Sequence, residues 1–152
     1  MMPSMKGSVL ICAKRNDTAA RETSEKLKGW LSKQGYKAVD VTDSKGEIGS
    51  GTTKNTKLGV VIGGDGTFLT LVRRLERKDQ FPLVGINLGS LGFITEFGRE
   101  EMLTTVEEVL AQTHTEVLRP LLMVELWRGG KCKERGTVFN DAVVAKDPRT
   151  TM

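Results

Sequence analysis

A chain of 152 residues, 38% hydrophobic and 28% charged, can bury a sizeable core and reads as a soluble globular protein. Its net charge of +4 suits phosphate-bearing ligands but makes no case for nucleic acid. Cys12 and Cys132 lack metal-ligand spacing, which points to a reducing, cytoplasmic setting, and the apolar run Val9 to Ala13 is too short for a signal-peptide core or a membrane span.

Ser8 to Ala13 reads as a buried strand. A polar loop, Lys14 to Thr18, follows, with N-cap candidates in Asn16, Asp17 and Thr18. A helix is expected from about Ala19 to Gln34. Ala20, Leu27, Trp30 and Leu31 form its apolar face and Gly35 is a suitable C′ residue. Tyr36 to Val41 reads as a second strand. Thr42 to Lys57 has no apolar period and reads as a long mobile loop.

The informative stretch is Leu58 to Leu69. Val60, Val61 and Ile62 form a β-branched run suited to a strand covered on both faces. Gly63, Gly64 and Gly66 allow positive φ and close approach of a ligand. The helix that follows directs its free N–H groups at the turn, an arrangement suited to phosphate. Asp65 is the anomaly, because a bare carboxylate repels phosphate; proton abstraction or metal contact explains it better. In the helix, Phe68, Leu71, Val72 and Leu75 make the buried stripe, while Arg73, Arg74, Arg77 and Lys78 read as a solvated face that complements the dipole.

Leu83 to Ile86 reads as the next strand and leads into a second glycine-containing segment, Asn87 to Glu96. Glu100 to Gln112 is expected to be helical, and His114 reads as a surface residue. Strands alternating with helices imply an α/β fold with a parallel sheet. After Arg119-Pro120 the pattern changes. Leu121 to Arg128, the turn Gly129-Gly130 and Lys131 to Lys146 read as an antiparallel hairpin. The expected division is an α/β nucleotide-binding domain at 1–118 and, at 119–152, the first antiparallel strands of an incomplete all-β domain.

Two common phosphate-loop patterns fail. Leu69 stands where a dinucleotide fingerprint needs a small residue, and Asp65 stands where a Walker A loop needs lysine. The motifs Gly63-Gly64-Asp65-Gly66-Thr67-Phe68-Leu69, then Gly85-Ile86-Asn87-Leu88-Gly89-Ser90-Leu91-Gly92-Phe93, then Asn140-Asp141 instead occur in one order. In that order the sequence resembles the NAD kinase family. The first motif is shared with diacylglycerol and sphingosine kinases; the second and third point to NAD kinases. The resemblance runs from about Val9 to the end of the chain.

The resemblance implies transfer of the terminal phosphate of ATP to the 2′-hydroxyl of the adenosine ribose of NAD, giving NADP. Asp65 matches the proton acceptor facing that hydroxyl. Gly66 and Phe93 match NAD contacts, Asn87 lies on the same side, and Asn140 and Asp141 match an NAD-binding pair. Gly63 and Gly64 would lie near the ATP phosphates, with Lys14 and Arg15 as further phosphate contacts. Mg²⁺ or another divalent cation would be carried by the phosphates, with no protein side chain as ligand. Such chemistry needs positioning and charge neutralisation more than a strong base.

The later β-domain residues of the family have no counterpart here, so the chain is expected to be a truncated piece with little or no activity alone. Leu121, Met123, Val124, Leu126, Val138, Val143 and Val144 would lack cover, which leads to an expectation of homo-oligomers or a disordered hairpin. No membrane or nucleic-acid partner is expected. Two other readings are a lipid kinase of the same superfamily, disfavoured by Asn87 to Phe93 and Asn140-Asp141, and a non-catalytic nucleotide-binding module, which would bind ATP and NAD without turnover.

Overall fold

The computed structural model describes residues 5–75, 81–90, 92–139 and 141–144. The chain divides into two compact units, Met1–Glu116 and Val117–Met152.

The first unit runs β1 (Ser8–Ala13), α1 (Thr18–Gln34), β2 (Lys37–Asp40), α2 (Ser50–Thr53), β3 (Thr56–Ile62), α3 (Asp65–Arg74), β4 (Leu83–Asn87), β5 (Phe97–Gly98) and α4 (Met102–Leu110). Its five strands form one parallel sheet in the order β2-β1-β3-β4-β5. The central strands β1 and β3 are the most apolar. All of β1 is buried, as are Leu58 to Ile62 of β3, because helices must cover both faces of a parallel sheet. The core joins Val9, Ile11, Val60 and Ile62 to Leu27 and Leu31 of α1 and to Met102, Val106 and Val109 of α4.

Local chemistry sets the ends of α1. Asp17 accepts the N–H of Ala20 at 3.0 Å, and Gly35 takes the left-handed conformation at φ +83°. Trp30, expected on the buried face, is only partly buried; Thr23 and Ser24 are buried with Ala20, Leu27 and Leu31.

Several expectations are corrected. The stretch 42–57 is not a featureless loop. It holds α2, the first residues of β3, and the buried Ile48, which bridges to Leu75 in parallel fashion. Arg74 explains this order. It is not a solvated charge: its Nε donates to Gly46 O at 3.1 Å and its Nη1 to Val41 O at 3.0 Å. Val72 and Leu75 are half-buried, and α3 ends at Arg74. Arg77 and Lys78 lie outside the described residues. The expected helix at 100–112 begins as a 3₁₀ turn, Arg99–Glu101, and becomes α4 only at Met102. His114 is half-buried, with Nε2 3.1 Å from Oε1 of Glu116.

The second unit is the hairpin of β6 (Leu121–Arg128) and β7 (Lys131–Phe139). Gly129 and Gly130 both have positive φ, +59° and +71°, as a two-residue turn matched to strand twist requires. The second strand, expected to extend to Lys146, ends at Phe139, and residues 145–146 lie outside the described residues. Leu121, Leu122, Met123, Val124, Leu126 and Trp127 are all exposed. Among the described residues no helix is long and apolar enough to cross a membrane.

Candidate functional site

The carboxyl ends of the parallel strands carry the site residues, at the edge where open α/β sheets bind ligands. Strand order reverses between β1 and β3, and the first residue after each of these two strands is tied to the end of the next strand in the sheet. Lys14 N donates to Ile62 O at 2.8 Å, and Gly63 N donates to Ile86 O of β4 at 2.8 Å. Of the three glycines expected to need unusual backbone, only Gly63 has a positive φ, +154°. A Cβ there would meet Thr67 Oγ1 at 2.7 Å and Lys14 Cβ at 3.1 Å. Gly64 is extended at φ −84° and caps α3, and Gly66 lies inside that helix. A Cβ at either would meet nothing within 4 Å, so both border open space.

Asp65 opens α3, and its carboxylate is turned onto the segment after β4. Oδ2 accepts the N–H of Phe93 at 2.8 Å. Oδ1 accepts the N–H of Ile94 at 3.1 Å, the N–H of Thr95 at 3.1 Å and the Thr95 hydroxyl at 3.0 Å. Partial burial alone would raise the Asp65 carboxyl, but these donors outweigh it and hold it below the usual carboxylate range. Thr95 is fully buried between two glycines. A Cβ on Gly85 would meet Thr95 Cγ2 at 2.7 Å, and one on Gly92 would collide with both Thr95 and the Asp65 carboxylate. Gly85 and Gly92 of the second glycine motif are therefore packing requirements around Thr95, whereas a Cβ on Gly89 would meet nothing within 4 Å. Thr95 lies two residues beyond the motif, and nothing local in the sequence marks it.

Asn87 is buried, with both ends of its amide engaged: Nδ2 donates to Thr95 Oγ1 at 2.9 Å and Oδ1 accepts from Gly89 N at 2.9 Å. Phe93 does the opposite. Its backbone N–H meets Asp65 while the residue as a whole is 76% exposed, unusual for a large aromatic. Asp65, Gly66, Asn87 and Phe93 thus lie around one turn-and-helix junction.

Lys14 and Arg15 belong to a neighbouring cavity of about 450 Å³ at the ends of β1 and β2, whose other walls include Arg21, Ser24, Lys28 and Thr42. Four cationic side chains are balanced there by Asp17, Glu25, Asp40 and Asp43. Lys14 pairs with Asp17 at 3.2 Å, while Arg15 donates to the carbonyls of Thr42 at 2.8 Å and Ser44 at 3.0 Å. Lys28 lies 2.6 Å from Asp40. Burial would raise Asp40, but Lys28 and Thr42 bring its carboxyl below the ordinary range.

Asp141 lies in the second unit, after β7 and not on it as expected; its N–H donates to Phe139 O, at the strand end, at 3.1 Å. Asn140 lies outside the described residues. No group of three or more His, Cys, Asp or Glu among the described residues is arranged to hold a metal ion.

Residues 52–114, which hold β3, α3 and the segment clamped by Asp65, match the family model of the ATP-NAD kinase N-terminal domain. The NAD kinase of Trichlorobacter lovleyi is 36% identical over 145 residues, 91% of this chain and 50% of that protein. The NAD kinase of Syntrophotalea carbinolica is 35% identical over 144 residues, 90% of this chain and 50% of that protein. The chain belongs to the NAD kinase family. It spans about half the length of these curated NAD kinases. The fold agrees: a crystal structure of yeast NADH kinase complexed with NADH superposes with a TM-score of 0.70 at 21% identity, covering 90% of this chain and 47% of that one.

Proposed function

We propose that this chain supplies the N-terminal half of an enzyme that moves the terminal phosphate of ATP to the 2′-hydroxyl of the adenosine ribose of NAD. The observation that carries the reading is the Asp65 carboxylate, anchored at the start of α3 beside two glycines that border open space. A carboxylate held below the ordinary range is ionised at neutral pH and a weak base. It suits a reaction in which the hydroxyl is oriented first and loses its proton late.

In this reading Asp65 accepts a hydrogen bond from the ribose hydroxyl. Gly66 lets the ribose approach the backbone, and the exposed Phe93 offers the face of its ring to a planar base of NAD. Gly63 and Gly64 lie beside the phosphates, and the cavity with Lys14 and Arg15 takes ATP. Asn87 works from behind, through its bond to Thr95. Asn140 and Asp141 are retained as NAD ligands. With Asp65 engaged by four neutral donors, the donor set fits a divalent cation, Mg²⁺, carried by the ATP phosphates rather than by side chains. Bound there, the cation would neutralise charge on the transferring group.

The free Cys12 and Cys132 support a reducing, cytoplasmic location, and the exposed apolar strands of the hairpin support association between copies. The test is NADP formation from ATP and NAD, comparing this chain with one continued by the remaining half of a relative, each with Asp65 and with Asp65→Asn. Little turnover by the half-length chain, turnover by the longer one and none by its Asp65→Asn form are expected. Near-normal turnover by Asp65→Asn would overturn the role of Asp65.

A further inference from the structure

We propose that Thr95 is a positioning residue, held by Asn87, that fixes which oxygen of the Asp65 carboxylate faces the acceptor hydroxyl. The inference rests on the reading of Asp65 given above and adds a residue to it.

The direction of every hydrogen bond in the relay is determined. Gly89 N–H can only donate, so the Asn87 atom it meets is the carbonyl oxygen and the other end of the amide is the NH₂. That NH₂ donates to Thr95 Oγ1 at 2.9 Å. The Thr95 hydroxyl has a single proton, and an ionised carboxylate can only accept, so the proton points at Oδ1 of Asp65 at 3.0 Å. The relay runs one way, from Asn87 through Thr95 to Asp65.

This leaves the two carboxylate oxygens unequal. Oδ1 accepts three hydrogen bonds, from Ile94 N, Thr95 N and the Thr95 hydroxyl, whereas Oδ2 accepts one, from Phe93 N. A carboxylate oxygen has about two lone-pair sites. Oδ1 is saturated, and Oδ2 keeps acceptor capacity for a ligand hydroxyl. All four partners are uncharged, so geometry and not a salt bridge makes the difference. Thr95 cannot shift to relax it, because Gly85 and Gly92 close on it with no room for a Cβ.

A packing role and a positioning role separate by substitution. Thr95→Val keeps the shape and removes the hydroxyl. Thr95→Ala and Thr95→Ser both lose the methyl, but only Ser keeps the hydroxyl. The measurement is an NMR pH titration of the ¹³C-labelled Asp65 carboxyl in the 152-residue chain, with amide dispersion as the check on folding. Thr95→Val and Thr95→Ala are expected to raise the titration midpoint of Asp65, and Thr95→Ser to leave it as in the parent. Should Thr95→Val fail to fold, the Ala and Ser pair decides. A parent-like midpoint in Thr95→Ala, or a midpoint in Thr95→Ser displaced as far as in Thr95→Ala, would overturn the proposal. The titration needs no turnover, so a failure to make NADP would count against the kinase reading and not against the relay.

Discussion

No carbon can be added at Gly92 without striking the carboxylate of Asp65. The turn and the helix start are built against each other at van der Waals range, and glycine is the residue that permits it. Gly92→Ala is therefore expected to expel the carboxylate from its four donors and to cost about 1–3 kcal/mol, the usual range for overpacking. Gly89 has open space around its Cβ position and no positive φ. Gly89→Ala should stay within about 0.5 kcal/mol of the parent. Urea denaturation of both variants checks the contrast.

Asp65→Asn replaces an acceptor by an amide and faces an NH₂ toward donors. The backbone N–H groups of Phe93, Ile94 and Thr95 lose a charged partner. Hydrogen bonds to a charged group contribute about 1.5–3 kcal/mol, and partial exposure reduces this, so a loss of about 1–2 kcal/mol is expected. Hydrogen exchange should quicken at these three amides and stay unchanged in β1.

The acid limb of stability follows from the same carboxylate and two others. Asp17, Asp40 and Asp65 all titrate below the ordinary aspartate range in the folded chain. A depressed carboxyl contributes stability that is complete above its unfolded pKa and is lost as pH falls through the folded one. Urea midpoints should hold steady above about pH 5 and drop below about pH 4. The drop should be shallower in Asp65→Asn. Lys28 has the opposite sign: burial would lower it, but Asp40 and Glu25 raise it above the ordinary lysine value. Its contribution is complete below that value and lost only at more alkaline pH.

Ser24 buries a hydroxyl oxygen that finds no hydrogen-bond partner among the described residues. An unpaired buried polar group costs about 1–3 kcal/mol. Ser24→Ala is therefore expected to leave stability unchanged or raise it by about 1 kcal/mol, measured as the urea midpoint at constant slope.

In the hairpin, Leu122, Val124 and Leu126 alternate onto one face, and Leu122 stands opposite Val138. An exposed apolar face of this kind recruits other chains. Light scattering should show a mass that grows with concentration, and the pair Leu122→Lys with Val124→Lys should return it to the monomer value. A compact monomer with slowly exchanging hairpin amides would sink the expectation.

What can be read in the sequence follows the range of the interaction. The β-branched run of Val60 to Ile62, the Asp17 cap, Gly35 and the Gly129-Gly130 turn are decided within a few residues, and each is legible. The order in 42–57 is not, because Ile48 is its one large aliphatic residue and its anchor, Arg74, lies 28 residues beyond Gly46. Asp65 stands out because a carboxylate among glycines is anomalous. The reason the second set of glycines is needed does not, since Gly85 and Gly92 make room for Thr95, a contact that exists only after β4 has paired with β3.

The position of Arg74 has a mechanical consequence. Helix α3 carries Asp65 at one end, tied to 93–95, and Arg74 at the other, tied to 41–46, where Thr42 and Asp43 wall the neighbouring cavity. A helix of ten residues moves as a rod of about 15 Å. Any tilt that loosens the grip at one end is delivered to the other, so a load on the cavity wall and a load on the carboxylate are felt by the same lever.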